Sequence, residues 1–80
     1  MGATIADLHV GEKGVICELS LDNIPLKLLE MGCLPGKTVQ LIQIAPLLDP
    51  LYIKVNGSHI AIRIETAKLI HINKIEDISN

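Results

Sequence analysis

The sequence predicts a small, mainly all-β domain: a closed barrel of about five short strands, with one short helix inserted after the first strand. Three observations predict it. Of 80 residues, 49% are hydrophobic, and 29 are Ile, Leu or Val. The segments that carry them are short and separated by Gly, Pro and Asn-Gly punctuation, as strands joined by tight turns are. A chain this short buries only about 60–65% of its unfolded surface, so nearly every aliphatic side chain must fill one core. Closure into a barrel follows from chemistry, because an Ile-rich strand left at an open edge invites pairing with other chains. A helix-capped open sheet is the alternative arrangement.

The elements follow in order. Gly11 and Gly14 bracket Glu12-Lys13 as a turn, and Val15-Ile16-Cys17-Glu18-Leu19 reads as the first strand, with Val15, Cys17 and Leu19 on one face. Residues 22–32 read as a helix: Asp22 or Asn23 can cap it, Pro25 fits its first turn, and Gly32 suits the left-handed position that ends it. Ile24, Leu28 and Met31 form its apolar stripe. Pro35-Gly36 predicts a type II turn. Lys37 to Ala45 is the next strand; its adjacent Leu41 and Ile42 require either two covered faces or a bulge.

The clearest segment comes next. Leu51, Ile53 and Val55 alternate with Tyr52 and Lys54; Asn56-Gly57 is a strong hairpin signal; Ile60, Ile62 and Ile64 then alternate with His59, Ala61 and Arg63. Glu65 to Lys68 reads as a helical turn or bend, and Leu69 to Ile72 as the last strand. The tail from Asn73 onward is expected to fray. The predicted core includes Val15, Val39, Leu41, Ile53, Val55, Ile60 and Ile62.

Charge excludes several functions. Seven basic residues against nine acidic ones give a net charge of −2, and the basic residues are scattered, whereas phosphate binding needs them clustered. With Tyr52 as the single aromatic there is no stacking platform for single strands and no aromatic groove for proline-rich peptides. No apolar run approaches the ~20 residues that span a bilayer, and no secretion signal is evident. Met1-Gly2 invites a myristoylation reading, but Ala6 stands where that motif wants Ser or Thr.

No catalytic constellation is present, so no enzyme activity is predicted. Gly11 and Gly14 are too close together for a phosphate loop. His9, His59 and His71 lie far apart and pair with no other ligand at metal spacing; His59 and His71 alternate with core isoleucines and should point outward. Cys17 and Cys33 read as reduced, buried, small hydrophobes. Two features stand out instead. The loop Ala45-Pro46-Leu47-Leu48-Asp49-Pro50 carries two large apolar side chains, which either fold back as a lid on the barrel or form a partner-binding tip. The helix has more apolar residues than one stripe buries, since Leu26 and Leu29 flank it.

These residues carry a resemblance. The run Leu28-Leu29-Glu30-Met31-Gly32-Cys33-Leu34-Pro35-Gly36-Lys37-Thr38-Val39 resembles the signature of the ferrous iron transport protein A (FeoA) family. The loop Ala45 to Pro50 is similar to that family's second signature, with Leu48 in place of the usual Gly. Ile60-Ala61-Ile62-Arg63, followed by Ala67, matches the third, with Thr66 where an acidic residue often stands. All three occur in order and in register.

The resemblance implies an SH3-like barrel over residues 4–73, followed by a flexible C-terminal tail at 74–80. It implies a small cytoplasmic accessory protein of bacterial ferrous iron uptake, at the inner face of the membrane through its partner. That partner would be a FeoB-like membrane transporter with a cytoplasmic GTPase domain, bound and regulated through protein–protein contacts. Neither nucleic acid binding nor direct membrane insertion is expected. The contact surface is assigned to Lys27, Leu28, Leu29 and Met31 of the helix with Leu47, Leu48 and Asp49 of the loop; a polar strand face around Lys54 and Arg63 is the rival surface. No cofactor and no metal ligand is predicted, and a weak or transient Fe2+ site built from distant residues stays open. Two alternatives accompany this reading. One is an SH3-like regulatory domain of the iron-dependent repressor type, against which the chain offers its own Met1 and no helix-turn-helix. The other is a weak transition-metal-binding carrier.

Overall fold

The computed structural model describes residues 2–75. In chain order the elements are β1 (Ala3–Thr4), a 3-10 turn (Ile5–Asp7), β2 (Lys13–Leu19), α1 (Leu26–Glu30), β3 (Thr38–Ile44), β4 (Leu51–Val55), β5 (Ser58–Ile62), α2 (Ile64–Ala67) and β6 (Ile70–Ile75). The strands form one antiparallel sheet in the order β1-β6-β2-β3-β4-β5. The sequence reading of a mainly β fold with an inserted helix holds, with one strand more. That strand, β1, has only two residues and no alternation to announce it.

The alternating hairpin is the regular part. Leu51, Ile53 and Val55 of β4 and Ile60 and Ile62 of β5 are buried, while Tyr52, Lys54, His59 and Ala61 are exposed. Asn56 and Gly57 both take positive φ, 51° and 80°, as a type I′ turn requires. Ile62 is 2% exposed, so Ile62→Ala should cost about 2–5 kcal/mol in chemical denaturation. The core continues through Val39, Leu41, Ile16, Ile70 and Ile72 to Ile5 and Leu8.

Two bulges set which side chains face that core. One falls in β3 between Leu41 and Gln43 and leaves Ile42 on the outside, which resolves the adjacent Leu41-Ile42 pair. The other falls in β2 between Ile16 and Glu18. It corrects the first strand. Gly14 and Ile16 face inward, Val15 is half-buried, Cys17 is exposed, and Leu19 packs against the core again. One extra residue at Cys17 reverses the parity of the strand, so Val15, Cys17 and Leu19 do not share a face. Val15 is therefore not in the core, and only Cys33 of the two cysteines is buried.

Four further corrections are local. The first turn is His9–Glu12, closed by Glu12 N–H to His9 O at 2.8 Å with Gly11 at φ +93°; Gly14 lies inside β2. Ile64 begins α2 instead of extending β5, because Asp49 caps it there. Asn73, Lys74 and Ile75 continue β6 opposite Val15, Gly14 and Lys13, so the strand runs past residue 73; the expected tail from 76 to 80 lies outside the described residues. Finally, among the described residues strand pairing does not close the ring. β1 and β5 end the ladder, and the 3-10 turn after β1 meets α2 after β5 instead.

Candidate functional site

The inserted segment between β2 and β3 builds one wall of the site. The helix is shorter than the sequence suggests. Pro25 occupies its N-cap, no side chain caps it, and Asn23 donates to Ser20 Oγ at 3.2 Å instead. Its end follows the expected chemistry. Gly32 N–H donates to Leu29 O at 3.1 Å and Cys33 N–H to Leu28 O at 3.0 Å, with Gly32 at φ +108°. This is the paired 5→2 and 6→1 closure of a Schellman motif, and it brings the buried Leu28 and Cys33 together. A Cβ on Gly32 would lie 2.7 Å from Asn56 Cβ, so the helix end is seated directly on the β4–β5 turn.

Seated there, α1 leaves a groove of about 410 Å³ between itself and β5. Leu28, Met31, Ile60 and Ile62 line its floor, and Lys27 and Arg63 stand among its lining residues. Arg63 connects the groove to the loop between β3 and β4. Its Nε lies 3.5 Å from Asp49 Oδ2, while Asp49 Oδ1 accepts from Ile64 N–H at 3.0 Å. Leu48 N–H donates to Ala45 O at 2.7 Å and Ala45 N–H to Pro50 O at 3.1 Å, so the base of the loop is fastened. Its tip projects: Leu47 is 89% exposed and Leu48 64%. The lid arrangement is thereby excluded, and the projecting tip is what the structure shows.

The predicted contact residues are sorted by this geometry. Lys27, Leu47, Leu48 and Asp49 are exposed. Leu29 and Met31 are half-buried against the core, and Met31 still lines the groove. Leu28 also lines the groove, but from the core-facing stripe of the helix and not as an exposed contact. It is 7% exposed and belongs to the core, because the Schellman closure turns it toward Cys33. The helix residue that projects is Leu26, at 68%. Arg63 of the rival polar face lies on the same surface as the loop, whereas Lys54 lies apart, beside Lys13, Gln40 and Asn56. His59, Ala61 and Thr66 also border the groove; alternation puts His59 and Ala61 on the outer face, but only the placement of α1 makes them its rim.

Ionisable groups offer little chemistry. Among the described residues no group of three or more His, Cys, Asp or Glu is placed to hold a metal. Among the described residues Glu12 is the most engaged carboxylate. It accepts from His9 N–H at 2.7 Å, touches His9 Nδ1 at 3.0 Å and lies 3.5 Å from Lys74 Nζ. The His9 backbone donor, aided by the His9 ring, holds its carboxyl below the usual range. Burial pushes the Cys33 thiol up, away from reactivity. No helix among the described residues is long and apolar enough to cross a membrane.

Comparison with known proteins agrees with this architecture. The chain is 35% identical over 72 residues to an Fe(2+) transport protein A/Fe(2+) transporter FeoB fusion protein of Porphyromonas gingivalis, covering 89% of the chain but 8% of that relative's length. A crystal structure of an iron uptake regulatory protein (FeoA) superimposes with a TM-score of 0.79 at 29% identity, covering 94% of this chain and 99% of the other. The zinc-complexed FeoA of Stenotrophomonas maltophilia, a prokaryotic SH3 domain protein, gives 0.71 at 26% identity and 89% coverage of each chain. A family model, the FeoA domain, matches residues 3–74. With that span covering nearly all of an SH3-like fold, the chain belongs to the FeoA domain family, a family of small accessory domains associated with ferrous iron transport.

Proposed function

We propose that this domain serves ferrous iron uptake by docking on the soluble part of a FeoB-type transporter and regulating its nucleotide hydrolysis. The carrying observation is the surface joined by Arg63: an apolar groove beside α1, and next to it a fastened loop that holds Leu47 and Leu48 out in solvent. Exposed leucines on a loop with a fixed base are costly for a lone domain and useful to a partner, since a pre-ordered anchor loses little entropy on binding. The fused relative supports the choice of partner, because it joins the same domain to the transporter in one chain. Docking would place the domain in the cytoplasm, at the inner face of the membrane. The domain has no enzymatic role in this reading, and Fe2+ is the transporter's cargo. No resident metal is assigned, so calorimetry of the purified domain should give no stoichiometric sub-micromolar binding of Fe2+ or Zn2+.

The test is a titration of isotope-labelled domain with the transporter's cytoplasmic GTPase domain, with GTP turnover followed in parallel. Leu47→Gln and Leu48→Gln should fold normally and bind about tenfold more weakly, as loss of a buried apolar anchor costs roughly 1–2 kcal/mol or more. Lys54→Glu, which lies off this surface, should bind as the parent does. Folded leucine variants with unchanged affinity would reject the reading; loss of binding in Lys54→Glu instead would move the surface to the polar strand face.

A further inference from the structure

β5 ends the ladder, so one side of its backbone has no strand partner among the described residues. In a two-residue hairpin the closing pair exchanges hydrogen bonds, and every second pair repeats them. Here those pairs are Val55–Ser58, Ile53–Ile60 and Leu51–Ile62. The N–H and C=O groups of His59 and Ala61 therefore face away from β4, toward the open edge. The same strand has a concavity on each flank. The groove beside α1 lies on one; a second, of about 470 Å³, is lined by Ile42, Gln43, Tyr52 and Ile53 on the other, and His59, Ile60 and Ala61 border both. A strand laid along this edge would send successive side chains to opposite faces, hence alternately into the two grooves. The grooves contain no carboxylate among their lining residues, but they do contain Lys27, His59 and Arg63, on a protein whose net charge is −2. Arg63 is shared with Asp49, whereas Lys27 has no ion pair among the described residues.

We propose that β5 accepts an extended segment of a partner protein as an added strand, the segment being apolar at alternate positions and carrying aspartate or glutamate near its ends. Main-chain hydrogen bonds to His59 and Ala61 hold it, and the two grooves and Lys27 select it. A second copy of this chain is a poorer occupant, because β5 paired with itself brings a second Lys27, His59 and Arg63 to a rim that is already basic. The inference rests on the docking reading above only for which protein carries the segment.

The probe is the peptide acetyl-Asp-Val-Thr-Val-Thr-Val-Asp-amide, titrated into isotope-labelled domain. Saturable shifts should centre on the His59 and Ala61 amides, whose hydrogen exchange should slow about fivefold or more at saturation. The same peptide with lysines for aspartates, and the parent peptide on Lys27→Glu, should each bind about fivefold or more weakly. Ala61→Pro removes an outward N–H without breaking the ladder to β4 and should abolish binding; if it does not fold, the lysine peptide and Lys27→Glu decide. The proposal falls if about 2 mM peptide leaves both amides unshifted, a concentration that would reveal even millimolar affinity. It also falls if the lysine peptide binds equally well. It falls too if the edge amides are already protected in the free domain and are released by dilution, which indicates a second copy, or by ending the chain at Ile75, which indicates its own C-terminus. Competition with the transporter's cytoplasmic domain separates the two proposals: peptide binding without competition keeps the added strand and rejects that transporter as its source.

Discussion

The Asp49 carboxylate accepts a hydrogen bond from the backbone N–H of Ile64 at 3.0 Å, fastening the apolar loop to the first residue of α2. Its second oxygen lies 3.5 Å from Arg63 Nε. One side chain thus satisfies a helix-end donor, anchors the loop that carries Leu47 and Leu48, and joins that loop to the α1–β5 groove. Asp49→Ala should cost about 1 kcal/mol, the usual loss of a capping acceptor. Asp49→Asn keeps an acceptor and should stay within about 0.5 kcal/mol of the parent, since the exposed ion pair contributes little. Urea denaturation of both variants checks this; equal losses would mean that the charge, and not the cap, matters.

Gly32 should tolerate no other residue. Its φ of +108° disfavours any side chain, and a Cβ would meet Asn56 Cβ at 2.7 Å. Strain and overpacking together predict a loss of about 2–4 kcal/mol for Gly32→Ala, measured by chemical denaturation.

Leu48 has the opposite expectation. It sits at φ +70°, where a branched side chain is strained. Leu48→Gly relieves about 1–2 kcal/mol of strain and costs about 0.5–1 in chain entropy, so a net gain near 0.5–1 kcal/mol is expected. Thermal melting should show the gain while partner affinity falls. That split separates a residue kept for binding from one kept for folding.

The pH dependence of Glu12 has a defined sign. Its carboxyl is held below its ordinary value near 4.5 by the His9 backbone and ring. A depressed folded-state pKa stabilises above the unfolded value, and the contribution is lost as pH falls through the folded one. The stability difference between the parent and Glu12→Gln should therefore be constant from neutral pH down to about 5 and shrink below about 4.5. Denaturation series at stepped pH check this, and a difference that persists at pH 2 would contradict it.

The two thiols should differ in reactivity. Cys17 stands exposed at the β2 bulge, whereas Cys33 is fully buried behind the helix closure with its thiol pKa raised. A disulfide reagent should modify one thiol quickly in the native domain and the second at a rate set by unfolding, about a hundredfold slower or more. Peptide mapping should place the fast adduct on Cys17.

Much of this was legible in the residues because it depends on near neighbours. The strict alternation around Asn56-Gly57 determines the hairpin and its buried face, since a strand's side chains repeat every two residues. Pro35-Gly36 determines a turn in the same way, with Gly36 at φ +92° and Lys37 N–H bonded to Leu34 O. The adjacent Leu41 and Ile42 narrow the strand to two covered faces or a bulge, because two apolar neighbours cannot both face one core, and pairing with β4 decides for the bulge. The loop leucines and the three family signatures are likewise visible as written.

What only the tertiary structure decided depends on partners distant in sequence. The β2 bulge is one case: nothing between Val15 and Leu19 says that Cys17 is the residue left without a partner, because β6 sets the register. The stripe of Ile24 and Leu28 was readable from spacing, but how far the helix end is seated, with Gly32 against Asn56 of the β4–β5 turn and a groove left beside β5, was not. Leu47 and Leu48 stand out instead of folding back because Asp49 is tied to Ile64, fifteen residues on. The open edge of β5, and with it the pair of grooves, is a property of strand order. Local periodicity fixes which way a side chain points along its own strand, but only the closing of the whole sheet fixes which strand is left without a neighbour.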